Sequence, residues 1–163
     1  MVILRHIYFR LIPYLTTYPG DIPGLIAGGK MNTKRFIAAS IAVFIVNQIC
    51  DFIVHGAILG KTYEALQNIW RPDMMSKMWI LYITSFIFSF LFVYIFIKGY
   101  ENKGIAEGVR FGIITGLFMN VIGMFNQYAI YPVPLTLAVQ WFIFAMIQFI
   151  IYGITAALIY RPK

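Results

Sequence analysis

Along the chain, apolar residues run in four long blocks separated by short polar punctuation, and no block shows the strict alternation of a strand. The blocks cover about 36–59, 78–97, 111–131 and 135–160. Each reaches the roughly 20 helical residues needed to cross a hydrocarbon core. Backbone amides in lipid must be paired within the segment, so the pattern predicts four transmembrane helices and an all-α, four-helix transmembrane bundle. Gly60 with Lys61, the polar stretch 98–103, and Tyr131-Pro132-Val133-Pro134 mark the turns. In the last of these, each proline lacks an amide donor and disfavours helix in the residue before it.

The first thirty residues break the pattern. Pro13, Pro19 and Pro23, with Gly20, Gly24, Gly28 and Gly29, cut the apolar content into pieces too short to span. From Met31 the text changes to a basic flank followed at once by an apolar run, as at a natural membrane-protein start. The expectation is therefore a domain over 31–163. Residues 1–30 are read as a non-spanning arm: either an upstream extension of a chain whose true start is Met31, or a loosely held interfacial segment. A cleaved signal peptide is the competing reading of the first block, but it lacks a small-x-small cleavage site and stays apolar too long.

Composition agrees with the pattern. Hydrophobic residues make up 61% of the chain and charged ones 12%, beyond what a soluble core of 163 residues would bury. The net charge of +7 sits in short loops beside apolar runs, which reads as topology signal and anionic-lipid contact rather than a nucleic-acid footprint. Arg5, Arg10, Lys30, Lys34, Arg35, Lys98, Lys103, Arg110, Arg161 and Lys163 fall on one side; Lys61, Arg71 and Lys77 fall on the other. Ten against three places both termini in the cytoplasm. In the first outer loop Tyr63, Leu66, Ile69 and Trp70 recur at helical spacing before Pro72. They predict a short interfacial helix with Trp70 and Trp79 at headgroup depth.

Chemistry concentrates in the spans. Asn47, Asp51 and His55 follow at steps of four in the first, and an ionisable residue inside a span usually faces protein or water. Gly108, Gly112, Gly116, Asn120, Gly123 and Gln127 form one small-and-polar face of the third. The expected arrangement packs this face against the polar stripe of the first span, with the glycines allowing close backbone approach. Gln140, Gln148 and Tyr152 in the fourth span, and Ser85 and Ser89 in the second, are expected to complete a polar centre. The function read from these residues is non-enzymatic: an outward-opening intramembrane site for a proton, ion or small polar ligand, built from Asn47, Asp51, His55, Asn120, Gln140 and Gln148. Two alternatives stand beside it. The same residues serve as interhelical glue in an accessory or assembly subunit of a membrane complex, or the chain binds haem or copper.

For haem the inventory is short, with His55 the one histidine in a span. Met74, Met75 and Met78 are soft enough for Cu(I) and also ordinary apolar filler. Cys50 is the single cysteine, so no intrachain disulfide forms, and it faces away from Asp51. No phosphate-cradling loop, His-Glu-x-x-His or nucleophile elbow occurs. The reading therefore assigns no cofactor and no metal. The partners expected are the bilayer and a second copy or another membrane protein, not nucleic acid.

From Met31 onward the order of features resembles a group of small bacterial four-span membrane proteins without an assigned activity. Asp51 and His55 late in span one, Trp70-Arg71-Pro72, Arg110-Phe111-Gly112, Tyr131-Pro132-Val133-Pro134-Leu135 and Tyr160-Arg161-Pro162 carry the resemblance. It covers about four fifths of the chain. It implies the four-span topology and a cell membrane location, the bacterial inner membrane above all.

Overall fold

A computed structural model describes residues 31–161, and within them all regular structure is helical. Residues 1–30 lie outside the described residues, as does the expectation about the start of the chain. Helix α1 (Thr33–Asp51) begins where the Asn32 side chain accepts from the Arg35 amide, satisfying an otherwise orphan donor. It continues without interruption into a π-helical stretch, Phe52–Ile58. The short helix α2 (Gly60–Ala65) and two 3-10 turns lead to α3 (Met78–Lys98). Helices α4 (Ile105–Ile130) and α5 (Leu135–Ile159) complete the chain. Among the described residues four helices are long and apolar enough to cross a membrane: Thr33–Ile58, Met75–Lys98, Ile105–Ile130 and Leu135–Ile159. This is the architecture of a multi-pass membrane protein.

Hydroxyl side chains inside the spans bond back to their own helix, Ser40 to Phe36, Ser89 to Ser85, Thr115 to Phe111 and Thr155 to Ile151. They therefore present no unmet donor to lipid. Two cores hold the bundle. One, toward the end where α3 turns into α4, gathers Ala39, Val43, Phe92, Val93, Phe96, Phe149, Tyr152, Ala156, Ala157 and Tyr160. The other, toward the opposite end, gathers Val54, Leu59, Val133, Leu137 and Trp141, with Tyr63, Leu66, Ile69 and Trp70 packed on them. The residues expected on a surface helix thus fold down onto the bundle. Tyr63 belongs to α2 and Ile69 to a 3-10 turn, while Trp70 rests against Tyr63 and Trp141.

The third span pairs with the fourth, which corrects the expected pairing of the third with the first. A Cβ on Gly108 would collide with the Gly153 carbonyl and Ala157, and one on Gly112 with the backbone of Phe149 and Ile150. Helix backbones come this close where at least one of them carries glycine. Helix α5 supplies Gly153 and Ala157, whereas the stripe on α1 carries full polar side chains. Gly116 meets Phe149 and Met146, but Gly123 has nothing within 4 Å and takes no part in the packing expected of it. Helix α1 finds its neighbours in α3 and α5 instead.

The 99–104 loop is organised by Glu107, which is 3% exposed. Its carboxylate accepts from the backbone amides of Glu101 at 2.6 Å and Lys103 at 2.9 Å. Just after them Gly104 takes φ +67°, which favours glycine, and precedes the first residue of α4. On the surface Glu101 pairs with Lys103 and Arg110, and those two cations hold its carboxyl at about 2. Being exposed, the pairs add little stability. The buried bonds matter more. Glu107→Ala is expected to lower stability by about 1–3 kcal/mol because two loop amides lose their acceptor. Thermal unfolding in mild detergent measures this, and an unchanged midpoint would show those amides to be solvated instead.

Candidate functional site

All four spans contribute to one cavity of about 380 Å³. Helix α1 supplies Asn47 and Asp51 and its π-helical continuation Val54 and His55; α3 supplies Thr84, Ser85 and Phe88; α4 supplies Met119, Asn120 and Met124. The wall from α5 runs from Trp141 through Phe144, Ala145, Gln148 and Phe149 to Tyr152. Five of the six expected site residues therefore meet here. Gln140 does not: it is exposed and outside the lining. Gln140 falls instead on the exposed side of α5 with Ile143, Ile147 and Ile151, at steps of three and four. Gln127, also expected on the polar face, is exposed toward the end of α4.

His55 owes its place to the π-helical stretch. In an α-helix each step of four advances about 40° around the axis, so Asn47, Asp51 and His55 would drift steadily off one face. A π-turn closes i→i+5 and needs more than four residues, so the step from Asp51 to His55 rotates back. The stripe is thereby straightened.

Within the cavity the polar groups divide into committed and uncommitted ones. Asn47 is spent, its amide donating to the Tyr152 hydroxyl at 3.1 Å and its oxygen accepting from Gln48 at 3.3 Å. Asp51 accepts from Gln148 at 3.3 Å through one oxygen. Asn120 donates to the Gly116 carbonyl at 2.8 Å. Among the described residues the second Asp51 oxygen and the side-chain oxygens of Gln148 and Asn120 have no partner, and none of these atoms is buried without one. They are accessible from the cavity and acceptors all.

Behind two lining residues, His55 and Trp141, a second polar cluster centres on Tyr63, which the sequence pattern presents only as an anchor. Its hydroxyl accepts from the Trp141 indole at 2.8 Å and lies 2.5 Å from His55 Nδ1. Burial raises the Tyr63 phenol above its ordinary value, the Trp141 bond opposes this, and the Asp51 charge adds to the rise. The phenol therefore keeps its proton at neutral pH. An indole N–H can only donate, so the Tyr63 proton is free for His55 Nδ1, which assigns the neutral imidazole its proton on Nε2. The ring of Tyr63 stacks on that of His55, and its backbone oxygen accepts from Trp70 at 3.3 Å. One side chain from α2 thus ties α1 to α5. The sequence signal for this was the helical spacing of Tyr63 and Trp70, which pointed to an amphipathic face but not to its partners.

Metal chemistry finds no obvious cage. Among the described residues no group of three His, Cys, Asp or Glu is placed to hold an ion, and Met74 and Met75 are exposed. Cys50 packs beside the first core. No protein family, curated protein or solved structure matches the chain.

Proposed function

We propose that this multi-pass membrane protein binds a proton, ion or small polar ligand in the four-helix cavity, with Asp51 and His55 as the principal contacts and Asn120 and Gln148 beside them. One observation carries the reading: an Asp51 carboxylate oxygen stands uncommitted in an open cavity within the span region. A carboxylate in such a place is costly unless something pairs with it. The ten-to-three division of Lys and Arg supports an orientation with the α3–α4 loop and both termini inside, so that the cavity opens outward. The resemblance to small bacterial four-span proteins supports placing the chain in a bacterial inner membrane.

A second reading is favoured by the bonds from Asn47 to Tyr152 and from Gln148 to Asp51. Each joins α1 to α5, which is what interhelical glue in an accessory subunit would do. The variant Asp51→Asn separates the two. Under the site reading it folds with stability within about 1 kcal/mol, because an amide still accepts from Gln148. Its thermal stability should then vary less between acid and neutral buffer than that of the parent. Identical pH profiles for parent and variant would remove the site and leave the glue.

A further inference from the structure

The two ends of the bundle are packed very differently. At the basic end α3 and α4 are joined by aromatic contacts, Phe92 to Phe111 at 4.8 Å and Phe96 to Phe111 at 5.3 Å between ring centres. At the other end residues 79–84 of α3 and residues 125–132 after the middle of α4 are exposed on every face. There α4 keeps α5 beside it, with Phe125 5.6 Å from Phe142 between ring centres, but its exposed residues leave the side toward α3 uncovered. Helices α3 and α4 therefore diverge above Phe92 and Phe111, while α1, α2 and α5 stay together around Tyr63 and Trp141. The cavity lies in this divergence. Thr84 from α3 and Met119 from α4 line it and are themselves exposed, so its side wall is open between those two helices.

The depth of that opening decides what can use it. Ser85 is seven residues, about 10 Å, from the start of α3, and Met119 is eleven residues, about 16 Å, from the end of α4. Both levels lie within a hydrocarbon core of roughly 30 Å. The gap consequently faces acyl chains rather than water. Beyond it, the accessible oxygens of Asp51, Gln148 and Asn120 accept and Asp51 is the one acidic side chain on the wall, while Ser85 and His55 add donors and Met119, Met124 and Phe144 supply apolar surface. Neither Lys nor Arg lines the cavity, which disfavours phosphate or carboxylate heads.

We propose that the cavity takes an amphiphile from the lipid phase through the gap between α3 and α4, and that its head is a hydrogen-bond donor, best a primary ammonium. The ammonium pairs with Asp51, its remaining N–H groups reach the Gln148 and Asn120 oxygens, and the chain lies out through the gap. This rests on the site reading above and specifies its ligand and its route.

The full chain in lipid nanodiscs is titrated with dodecylamine, methylammonium and dodecanol while the thermal unfolding midpoint is followed. Dodecylamine should raise the midpoint at the lowest concentration. Asp51→Asn should weaken that effect at least about tenfold, as expected for a lost bond to a charged group. Met119→Trp, which fills the gap from a lipid-facing position, should weaken dodecylamine while sparing methylammonium; Thr84→Phe serves if that variant does not fold. Equal protection by methylammonium and dodecylamine, unmoved by either gap variant, would overturn the lateral route and keep the site. Dodecanol protecting as well as dodecylamine, independently of Asp51, would overturn the donor head. No protection by either amine, together with a neutral Asp51→Asn, would remove the site reading itself.

Discussion

Replacing Gly112 with alanine is expected to destabilise the bundle by about 1–3 kcal/mol, and replacing it with leucine to separate α4 from α5. The added Cβ falls on the carbonyl of Phe149 and the Cα of Ile150, which are backbone atoms that move only if the whole of α5 moves. Gly116→Ala should cost less. There the nearest atoms are Phe149 Cβ at 3.0 Å and Met146 Sδ at 3.1 Å, and a methionine side chain can swing aside. Gly123→Ala meets open space and should be neutral, or stabilising by up to about 1 kcal/mol through helix propensity. Unfolding titrations in mixed micelles give all three on one scale. Equal losses at the three positions would mean that propensity, not backbone contact, governs this helix.

Tyr63→Phe should cost about 1–3 kcal/mol although it removes a single oxygen. That oxygen accepts from Trp141 and donates to His55, so its loss strands a donor on α5 and an acceptor on α1 together. The packing of the ring against Trp70 and His55 survives in phenylalanine, which isolates the hydroxyl's share. The result should appear locally as well as globally, with amide exchange from Gly60 to Trp70 faster than in the parent. Unaltered exchange with an unaltered midpoint would show that the segment is held by apolar contact with Leu59 and Leu137 alone.

The existence and limits of the spans were legible, because apolar length is imposed by bilayer thickness and by the need to pair every amide. The expected blocks differ from the observed helices mainly at α4, which starts at Ile105 rather than near 111. Glu107 and Arg110 interrupt its start and Glu107 serves the loop, so hydropathy alone could not claim it. The Asp51 neighbourhood was legible in part: Asn47, Gln148 and Asn120 gather there, while Gln140 falls on the exposed side of α5 with Ile143 and Ile147. The partner of the glycine face was misread although its signal was present. Gly153 and Ala157 repeat the same four-residue spacing on the fourth span, and small faces pair with small faces. Tyr63 was opaque for another reason. Its role depends on two residues 8 and 78 positions away, and no periodicity records such a meeting.

The π-helical stretch of the first span also bears on how one helix can serve two cores. Before it Ala39 and Val43 face the first core, while Val54 within it and Leu59 just after it face the second. In an unbroken α-helix Val54 and Leu59 would stand about 140° apart, and one of them would point into lipid. The Leu59 amide bonds to the Val54 carbonyl at 2.8 Å, a five-residue closure that brings both side chains inward. The wide turns therefore act as a change of phase within a single rod. They let an uninterrupted hydrophobic segment keep step with two successive layers whose facing directions no single helical period would match.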